Sequence, residues 1–287
     1  MNALLSTRSL RKSYGDLDAV RGVDLDVEAG EIVGLLGANG AGKTTFMRCA
    51  LGILAPSGGT SLLFGRPPSR LGRARIGYVP QGRGLYPDLT PRENAQFSAA
   101  AYGVRAGTDG SALAEGSPVD SYPRRLVREL PLGLQRRVAF DIALPHGPQL
   151  LVLDEPTSGV GPLESAELWE VIGRQAAAGI GVLVTTHTMN EAVQCDRLAV
   201  MVDGLIAAEG TEADIIAGAT VVTVEAADWQ AAFDRLVQAG LLVSLAGRGV
   251  RVLGAAPEQV LTALDGLPAA IGTAPVTLDE RMALLAQ

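Results

Sequence analysis

A glycine-rich segment that ends in a lysine and two threonines stands near the N-terminus: GANGAGKTT, residues 37–45. Its glycines let successive backbone N–H groups face one centre, and a helix beginning at its end would add its positive dipole end. The pattern G-x-x-x-x-G-K-[ST] cradles nucleotide phosphates, and the strand-like run before it and the helical run after it disfavour an incidental glycine turn. The residues predicted to bind the nucleotide here are Gly37, Ala38, Asn39, Gly40, Ala41, Gly42, Lys43, Thr44 and Thr45.

Two adjacent carboxylates, Asp154 and Glu155, end the apolar run LLVLDEP. Burying two acids side by side is costly without a cation, so we predict that Asp154 and Thr44 hold Mg²⁺. Glu155 would then polarise the water that attacks the γ-phosphate, while Lys43 would reach the β- and γ-phosphates. If the segment stood alone, an acidic pair that merely starts a helix would remain a serious alternative.

Two further polar side chains follow strand-like runs: His187 ends GVLVTTH, and Gln81 follows ARIGYVP. A single histidine is more often structural than catalytic, and a bare glutamine is less distinctive still. Position changes this interpretation for the histidine, because ligands of open parallel sheets bind at the carboxyl ends of the strands. We therefore expect Gly37, Asp154 and His187 to converge on one site.

The elements that must position these residues indicate an α/β domain. Short β-branched or Leu-rich runs alternate with longer stretches of possible helix, which favours a largely parallel sheet. From about residue 218 the pattern changes to strand, helix, hairpin, helix and strand. We predict domains at 1–217 and 218–287, the second a small α+β appendage. The Gly, Ala and Ser-rich segment 103–121 is predicted to be a flexible or irregular connection.

Composition excludes several classes of protein. The 287 residues carry a net charge of -7, which disfavours a nucleic-acid partner because such surfaces are usually basic. No apolar run approaches the ~20 residues of a membrane span, and the first residues lack a stretch typical of a signal peptide. The two cysteines, far apart in sequence, are interpreted as small buried hydrophobes. We therefore expect a cytoplasmic protein.

Taken in order over about residues 4–216, these motifs resemble the nucleotide-binding subunits of ATP-binding cassette (ABC) transporters. The resemblance implies a P-loop NTPase fold with a largely parallel central sheet, an antiparallel β subdomain and a helical subdomain. It also implies that Tyr14 stacks on adenine and that His187 holds the γ-phosphate. Gln81 would contact Mg²⁺ and the attacking water and link them to the membrane-domain interface. Gln81, Glu155 and His187 are thus the expected catalytic residues.

Members of this family dimerise head to tail, with each ATP between the P-loop of one copy and a signature loop, LSGGQ, of the other. The matching stretch here, LPLGLQRR, begins at Leu130. Pro131 replaces the usual serine and Leu132 the first glycine, so two phosphate donors are absent. Gly133 and the start of the following helix remain, and the helix dipole can still face a phosphate. The resemblance makes residues 130–133 nucleotide contacts.

The chain resembles the subgroup of these subunits that powers exporters of drugs or polysaccharides, because an LPLG signature is followed by DEPTSGV, TTH and CDR. Its tail, PVTLDERMALL, is similar to a C-terminal extension that such subunits often carry. The resemblance implies an ATP-hydrolysing subunit that dimerises, lies on the inner face of the cell membrane and drives an integral membrane permease on a separate chain.

Two alternatives stay open at this stage. The first is a regulatory or catalytically weak partner subunit. It is suggested by Pro131 and Leu132 in the signature loop and by Gly161, where most relatives have aspartate. The second alternative is a soluble cassette ATPase of translation or DNA repair. It is weaker because the chain contains neither a second cassette nor a coiled-coil insertion.

Overall fold

The computed structural model describes residues 3–82, 84–104, 117–119, 121–122 and 124–286. Most of the predicted irregular connection at 103–121 therefore lies outside the described residues. The chain divides into two compact units, Met1–Glu209 and Gly210–Gln287, and each is described by itself. The domains 1–217 and 218–287 stay a prediction.

A six-stranded sheet forms the centre of the first unit, and its strands lie in the order β5-β6-β7-β3-β8-β9. The pairs from β5 through β8 are parallel, which confirms the predicted sheet. The strands β3, β6 and β7 are buried along their whole length, and this explains their unbroken apolar sequences. The strands are β3 (Ile32–Leu36), β5 (Ile76–Val79), β6 (Leu150–Asp154), β7 (Gly181–Thr186), β8 (Arg197–Val202) and β9 (Leu205–Gly210).

A three-stranded antiparallel sheet supplies the β subdomain that the family resemblance implies. It consists of β1 (Leu5–Tyr14), β2 (Leu17–Val27) and β4 (Gly58–Leu63), in the order β2-β1-β4. Its apolar face shares one core with helix α1 (Lys43–Ala50) and with one face of the central sheet. This shared core places the β1–β2 hairpin beside the start of α1.

The remaining helices of the first unit cover the sheet or form a separate small cluster. A second core joins Phe140 and Trp169 of two helices to Leu151 and Val182 of the sheet. A smaller cluster around Val138 forms the helical part of the unit. The helices are α2 (Arg70–Arg73), α3 (Pro91–Ala101), α4 (Leu132–Asp141), α5 (Pro162–Ala177) and α6 (Met189–Ala192).

The second unit begins with helix α7 and continues as an antiparallel sheet with the order β11-β12-β10-β13. Helices α8 and α9 join the strands in a β-α-β-β-α-β sequence, and apolar side chains of both helices pack on the sheet. The predicted α+β appendage has this form. Its elements are α7 (Glu212–Ile216), β10 (Thr220–Ala226), α8 (Trp229–Gln238), β11 (Leu242–Ala246), β12 (Gly249–Leu253), α9 (Pro257–Leu264), β13 (Ala269–Pro275) and α10 (Leu278–Leu285).

Helix α10 is tied to this sheet by a buried ion pair. Arg251 Nε donates to Glu280 Oε1 over 2.6 Å, and Ser244 Oγ donates to the same oxygen over 2.8 Å. These contacts, led by the guanidinium, hold the pKa of Glu280 at about 2. The C-terminal helix thus belongs to the compact second unit.

In the described part of the chain, every helix is too short or too polar to span a bilayer.

Candidate nucleotide-binding site

Four of the residues predicted from sequence follow neighbouring strands of the central sheet. Strand β3 leads into Gly37, β5 leads toward Gln81, β6 ends in Asp154 and β7 leads into His187. The strands are parallel neighbours in the order β5-β6-β7-β3, so all four ends lie at one edge. This edge is where an open parallel sheet binds its ligand.

The loop between β3 and α1 has a backbone that only glycine accepts at key positions. Gly40 and Gly42 have φ values of 88° and 103°, in the left-handed region. A Cβ on Gly42 would also lie 2.2 Å from the carbonyl oxygen of Ala19, on β2. At its tip, Ala38, Asn39 and Gly40 are exposed. The predicted P-loop is thus an open turn held against the β1–β2 hairpin.

The first turn of α1, which begins at Lys43, carries no side-chain cap and no acidic residue. Helices α3, α7 and α10 instead begin with a threonine and a carboxylate that cap each other's backbone groups. The N–H groups of Lys43, Thr44 and Thr45 are therefore free of side-chain competition. Together with the helix dipole, they suit a phosphate.

The Lys43 side chain lies back along the loop and is only 5% exposed. Its Nζ donates to the carbonyl oxygens of Gly37 and Ala38 over 2.6 and 3.1 Å. Nζ also lies 3.7 Å from Glu155 Oε1. Burial lowers the pKa of Lys43, while the charges of Glu155 and Asp154 oppose that shift. The cation is thus positioned between the loop and the two acids.

Asp154 is buried, and its two oxygens differ in their partners. Oδ1 accepts hydrogen bonds from Thr185 Oγ1 and Thr44 Oγ1 over 2.8 and 3.2 Å. Oδ2 is buried and has no hydrogen-bond partner among the described residues. A desolvated carboxylate oxygen without a donor is costly, and a hard cation relieves that cost. The residues present therefore fit a Mg²⁺ ion.

Glu155 lies at the centre of the site and is 7% exposed. Gln81 Nε2 donates to its Oε2 over 2.8 Å, and His187 Nδ1 lies 3.7 Å from its Oε1. Its backbone N–H donates to Thr185 Oγ1 over 2.9 Å. Its φ of 49° is unusual for a residue with a side chain and costs free energy that the surroundings must offset. The structure thus brings together Gln81, Lys43, Glu155 and His187.

Tyr14 stands apart from this group of side chains. It ends β1, is half exposed, and has Lys12 Nζ 5.1 Å from its ring centroid. The hairpin that it begins continues to Ala19, which packs on Gly42. Its ring therefore lies half exposed at the hairpin that lines the loop, in contact with Lys12.

The signature segment is also separate from the P-loop. Leu130 is buried, Pro131 and Leu132 are exposed, and α4 begins at Leu132 without a side-chain cap. Among the described residues, no hydrogen bond or ion pair joins residues 130–133 to the P-loop, Asp154, Glu155 or His187. Within one chain, these four predicted contacts do not complete the nucleotide site.

Threonines that the sequence analysis missed hold the acidic residues in place. Thr185 bonds both Asp154 and the backbone of Glu155, and Thr186 bonds Glu191. The available signal was the pair of threonines at the end of the otherwise apolar strand β7. Buried hydroxyls in such a strand need hydrogen-bond partners, which points to a polar neighbour.

Comparison with known proteins agrees with this geometry. A model of the ABC transporter family matches residues 20–158. The "Probable multidrug ABC transporter ATP-binding protein YbhF" of Escherichia coli (strain K12) is 39% identical over 218 residues, which are 74% of this chain. This chain spans only 38% of that relative. The "Nod factor export ATP-binding protein I" of Cupriavidus metallidurans is 36% identical over 280 residues, covering 93% of this chain and 91% of the relative.

Solved structures give the same result. An ATP-binding subunit of an ABC transporter superposes with a TM-score of 0.67 at 25% identity, covering 91% of this chain and 99% of that one. The protein cbiO1 from Clostridium perfringens gives a TM-score of 0.66 at 27% identity, covering 76% of this chain and 92% of that one. The chain therefore belongs to the ATP-binding proteins of ABC transporters, a family that hydrolyses ATP to power transport.

Proposed function

We propose that this chain binds and hydrolyses ATP to power export of a substrate through an integral membrane permease on a separate chain. The chain would work in the cytoplasm, on the inner face of the cell membrane. Its similarity to a protein named for Nod factor export, over nearly the full length of both chains, supports export.

The placement of Glu155 is the observation that carries the hydrolytic part of this proposal. Its carboxylate accepts a hydrogen bond from Gln81 and lies 3.7 Å from both Lys43 Nζ and His187 Nδ1. A carboxylate held in this way can polarise a water toward the γ-phosphate. Lys43 and the first N–H groups of α1 would stabilise negative charge on the phosphates, and His187 would contact the γ-phosphate.

Thr44, Asp154 and Gln81 are the residues that we propose to hold Mg²⁺. The unpartnered Oδ2 of Asp154 and the Thr44 hydroxyl beside Oδ1 support this assignment. When bound, the ion would neutralise negative charge on the β- and γ-phosphates. The Gln81 amide, bonded to Glu155, would connect the ion to the catalytic carboxylate.

We further propose that two copies of the nucleotide-binding domain dimerise, so that residues 130–133 of one copy face the nucleotide on the P-loop of the other. Helix α4 supports this arrangement because its start is exposed and carries neither a side-chain cap nor an acidic residue. Tyr14 would stack on the adenine of the nucleotide in its own chain.

A partly apolar groove beside β5 is the proposed docking surface for the permease. Ile53, Leu71 and Tyr102 line it and are exposed, with Leu71 83% exposed. Tyr78 of β5 lines the same groove, and Gln81 follows this strand. A segment of the permease bound here would lie close to the glutamine that contacts Glu155.

A regulatory or catalytically weak role is not favoured. Glu155 keeps its contacts with Lys43, Gln81 and His187. The relatives that match most of the chain are named as export ATP-binding proteins.

Steady-state ATPase measurements on the purified chain, with and without Mg²⁺, test the proposed function. We expect Mg²⁺-dependent release of phosphate that Glu155→Gln reduces by about 10²- to 10⁴-fold while ATP binding is retained. Tight ATP binding by the wild-type chain without turnover, alone and with its permease, would contradict the hydrolytic role.

A further inference from the structure

Glu191, on α6, lies between two loops of the site that are far apart in sequence. Its Oε1 accepts a hydrogen bond from Thr157 Oγ1, in the loop after Glu155. Its Oε2 accepts from Thr186 Oγ1 over 2.6 Å, and Thr186 is the residue before His187. One carboxylate thus connects the segments that carry Glu155 and His187, two of the three proposed catalytic side chains.

Both threonine hydroxyls are buried, so losing their hydrogen bonds to Glu191 would cost more free energy than at the surface. Thr157 is 5% exposed and Thr186 is 1% exposed. Thr186 Oγ1 also accepts from the backbone N–H of Thr188 over 3.0 Å, so the residues on both sides of His187 share this network. Loss of the Glu191 carboxylate would leave Thr157 Oγ1 without its acceptor and Thr186 Oγ1 with only the longer contacts to Thr188 Oγ1 and O, at 3.2 and 3.5 Å.

A cavity lies beside this connection between the two loops. It is lined by Glu155, Thr157, His187 and Glu191, and by Trp169 of α5. The Trp169 indole N–H is buried and has no hydrogen-bond partner among the described residues. Without Glu191, the two loops would face each other across this space.

We propose that Glu191 is a positioning residue for ATP hydrolysis, acting through Thr157 and Thr186 to hold Glu155 and His187 in register. The inference rests on the proposed function, because the register matters for turnover. Glu155 Oε1 and His187 Nδ1 are 3.7 Å apart, and displacement of a catalytic group by about 1 Å can cost 10²-fold in rate. We expect nucleotide affinity to depend mainly on the P-loop, and no hydrogen bond among the described residues joins Glu191 to that loop.

The first test compares Glu191→Ala with Glu191→Gln in steady-state kinetics and ATP titrations. We expect Glu191→Ala to lower kcat by about 10- to 100-fold while the Kd for ATP changes by less than about threefold. Glu191→Gln should recover most of the rate, since its amide can accept from one threonine and donate to the other. Gln194→Ala, at an exposed position on the same cavity, is the matched control and should leave both quantities unchanged.

A double-mutant cycle distinguishes positioning from a general structural role. If Glu191 acts through the His187 loop, Glu191→Ala should cost little additional rate in a His187→Ala background. Equal losses of rate in the two backgrounds would overturn the claim that Glu191 acts through Thr186 and the His187 loop. So would a loss of ATP affinity in Glu191→Ala as large as its loss of kcat.

Fluorescence provides a readout that does not require turnover. The chain has two tryptophans, so Trp229→Phe leaves Trp169 as the only tryptophan, which can be excited selectively over the tyrosines. We expect Glu191→Ala to increase acrylamide quenching of Trp169, whereas Glu191→Gln should not. Unchanged quenching in Glu191→Ala would overturn the proposed connection. Absence of wild-type ATPase activity together with increased quenching would refute the proposed function and support the connection.

Discussion

The P-loop and the signature segment are two helix N-termini with the same backbone chemistry and different side chains. In the described part of the chain, α1 and α4 are the helices whose first turns have neither a side-chain cap nor an acidic residue. Residues 37–45 add glycines with positive φ and a buried lysine. Residues 130–133 add a proline and an exposed leucine. One helix start has its own cation, and the other has only backbone groups.

This difference indicates that the P-loop and the signature segment contribute differently to nucleotide binding. The P-loop has its lysine, its threonine and two neighbouring carboxylates within one chain, so we expect it to bind a nucleotide without a second copy. The signature segment offers only the Gly133 backbone N–H and the positive end of the α4 dipole. These groups can interact with a phosphate only when another copy holds the nucleotide against them. In the proposed dimer, the contribution of this segment to nucleotide binding would therefore depend on the second copy.

Removing the P-loop cation should have the largest effect. Lys43→Ala deletes the ammonium that lies among Gly37, Ala38 and Glu155, and we expect ATP affinity to fall by about 10²-fold or more. Isothermal titration with ATP measures this. Lys12→Ala, which changes the only other lysine, should alter affinity by less than about threefold. Equal losses in both variants would contradict the special role of Lys43.

The second prediction concerns whether the signature segment can complete a site. Glu155→Gln should block hydrolysis and trap a dimer when ATP and Mg²⁺ are present, doubling the molar mass seen by light scattering. Glu170→Gln, on the exposed face of α5, should remain monomeric because it keeps turning over ATP. An ATP-bound Glu155→Gln variant that stays monomeric would mean that closure needs the permease.

Restoring hydrogen-bond donors to the signature segment should make its binding to phosphate more like that of the P-loop. Pro131→Ser adds a hydroxyl and a backbone N–H at the start of α4, and a hydrogen bond from such a donor to a phosphate is worth about 1.5 kcal/mol. Measured in the Glu155→Gln background, the ATP-dependent dimer should tighten by roughly tenfold, because this hydrogen bond forms only when the two copies close on the nucleotide. Pro131→Ala, which restores the N–H without the hydroxyl, should give a smaller gain. Weaker dimerisation of the serine variant would show that the proline is the better fit.

The smallest effect is expected at the start of α5. Gly161 has a φ of -65°, which any residue adopts, and a Cβ there would meet only the flexible end of Glu164. Gly161→Asp supplies an N-cap and should raise unfolding stability by a few tenths of a kcal/mol, roughly 1 °C in Tm. Thermal denaturation measures this, with Gly161→Ala as control. A higher Hill coefficient for ATP hydrolysis in the aspartate variant would show that the two sites couple more strongly.

Much of the fold was predictable from local patterns. The buried strands β3, β6 and β7 read as continuous apolar runs because helices or sheet cover both of their faces. The appendage read as strand, helix, hairpin, helix and strand because its elements are short and follow one another directly. The roles of Tyr14 and residues 130–133 stay predictions, since they depend on a nucleotide and a second copy.

The amino-acid sequence alone determined the chemistry of the P-loop and of the acidic pair. Glycines at positions of positive φ, a lysine at a helix start and two acids after a buried strand are local features, set by neighbours along the chain. Only the tertiary structure decided which groups surround those acids. Thr157 and Glu191 are 34 residues apart, and Gln81 and Glu155 are 74 apart. Such contacts arise when packed strands bring distant loops together, so a short sequence pattern cannot predict them.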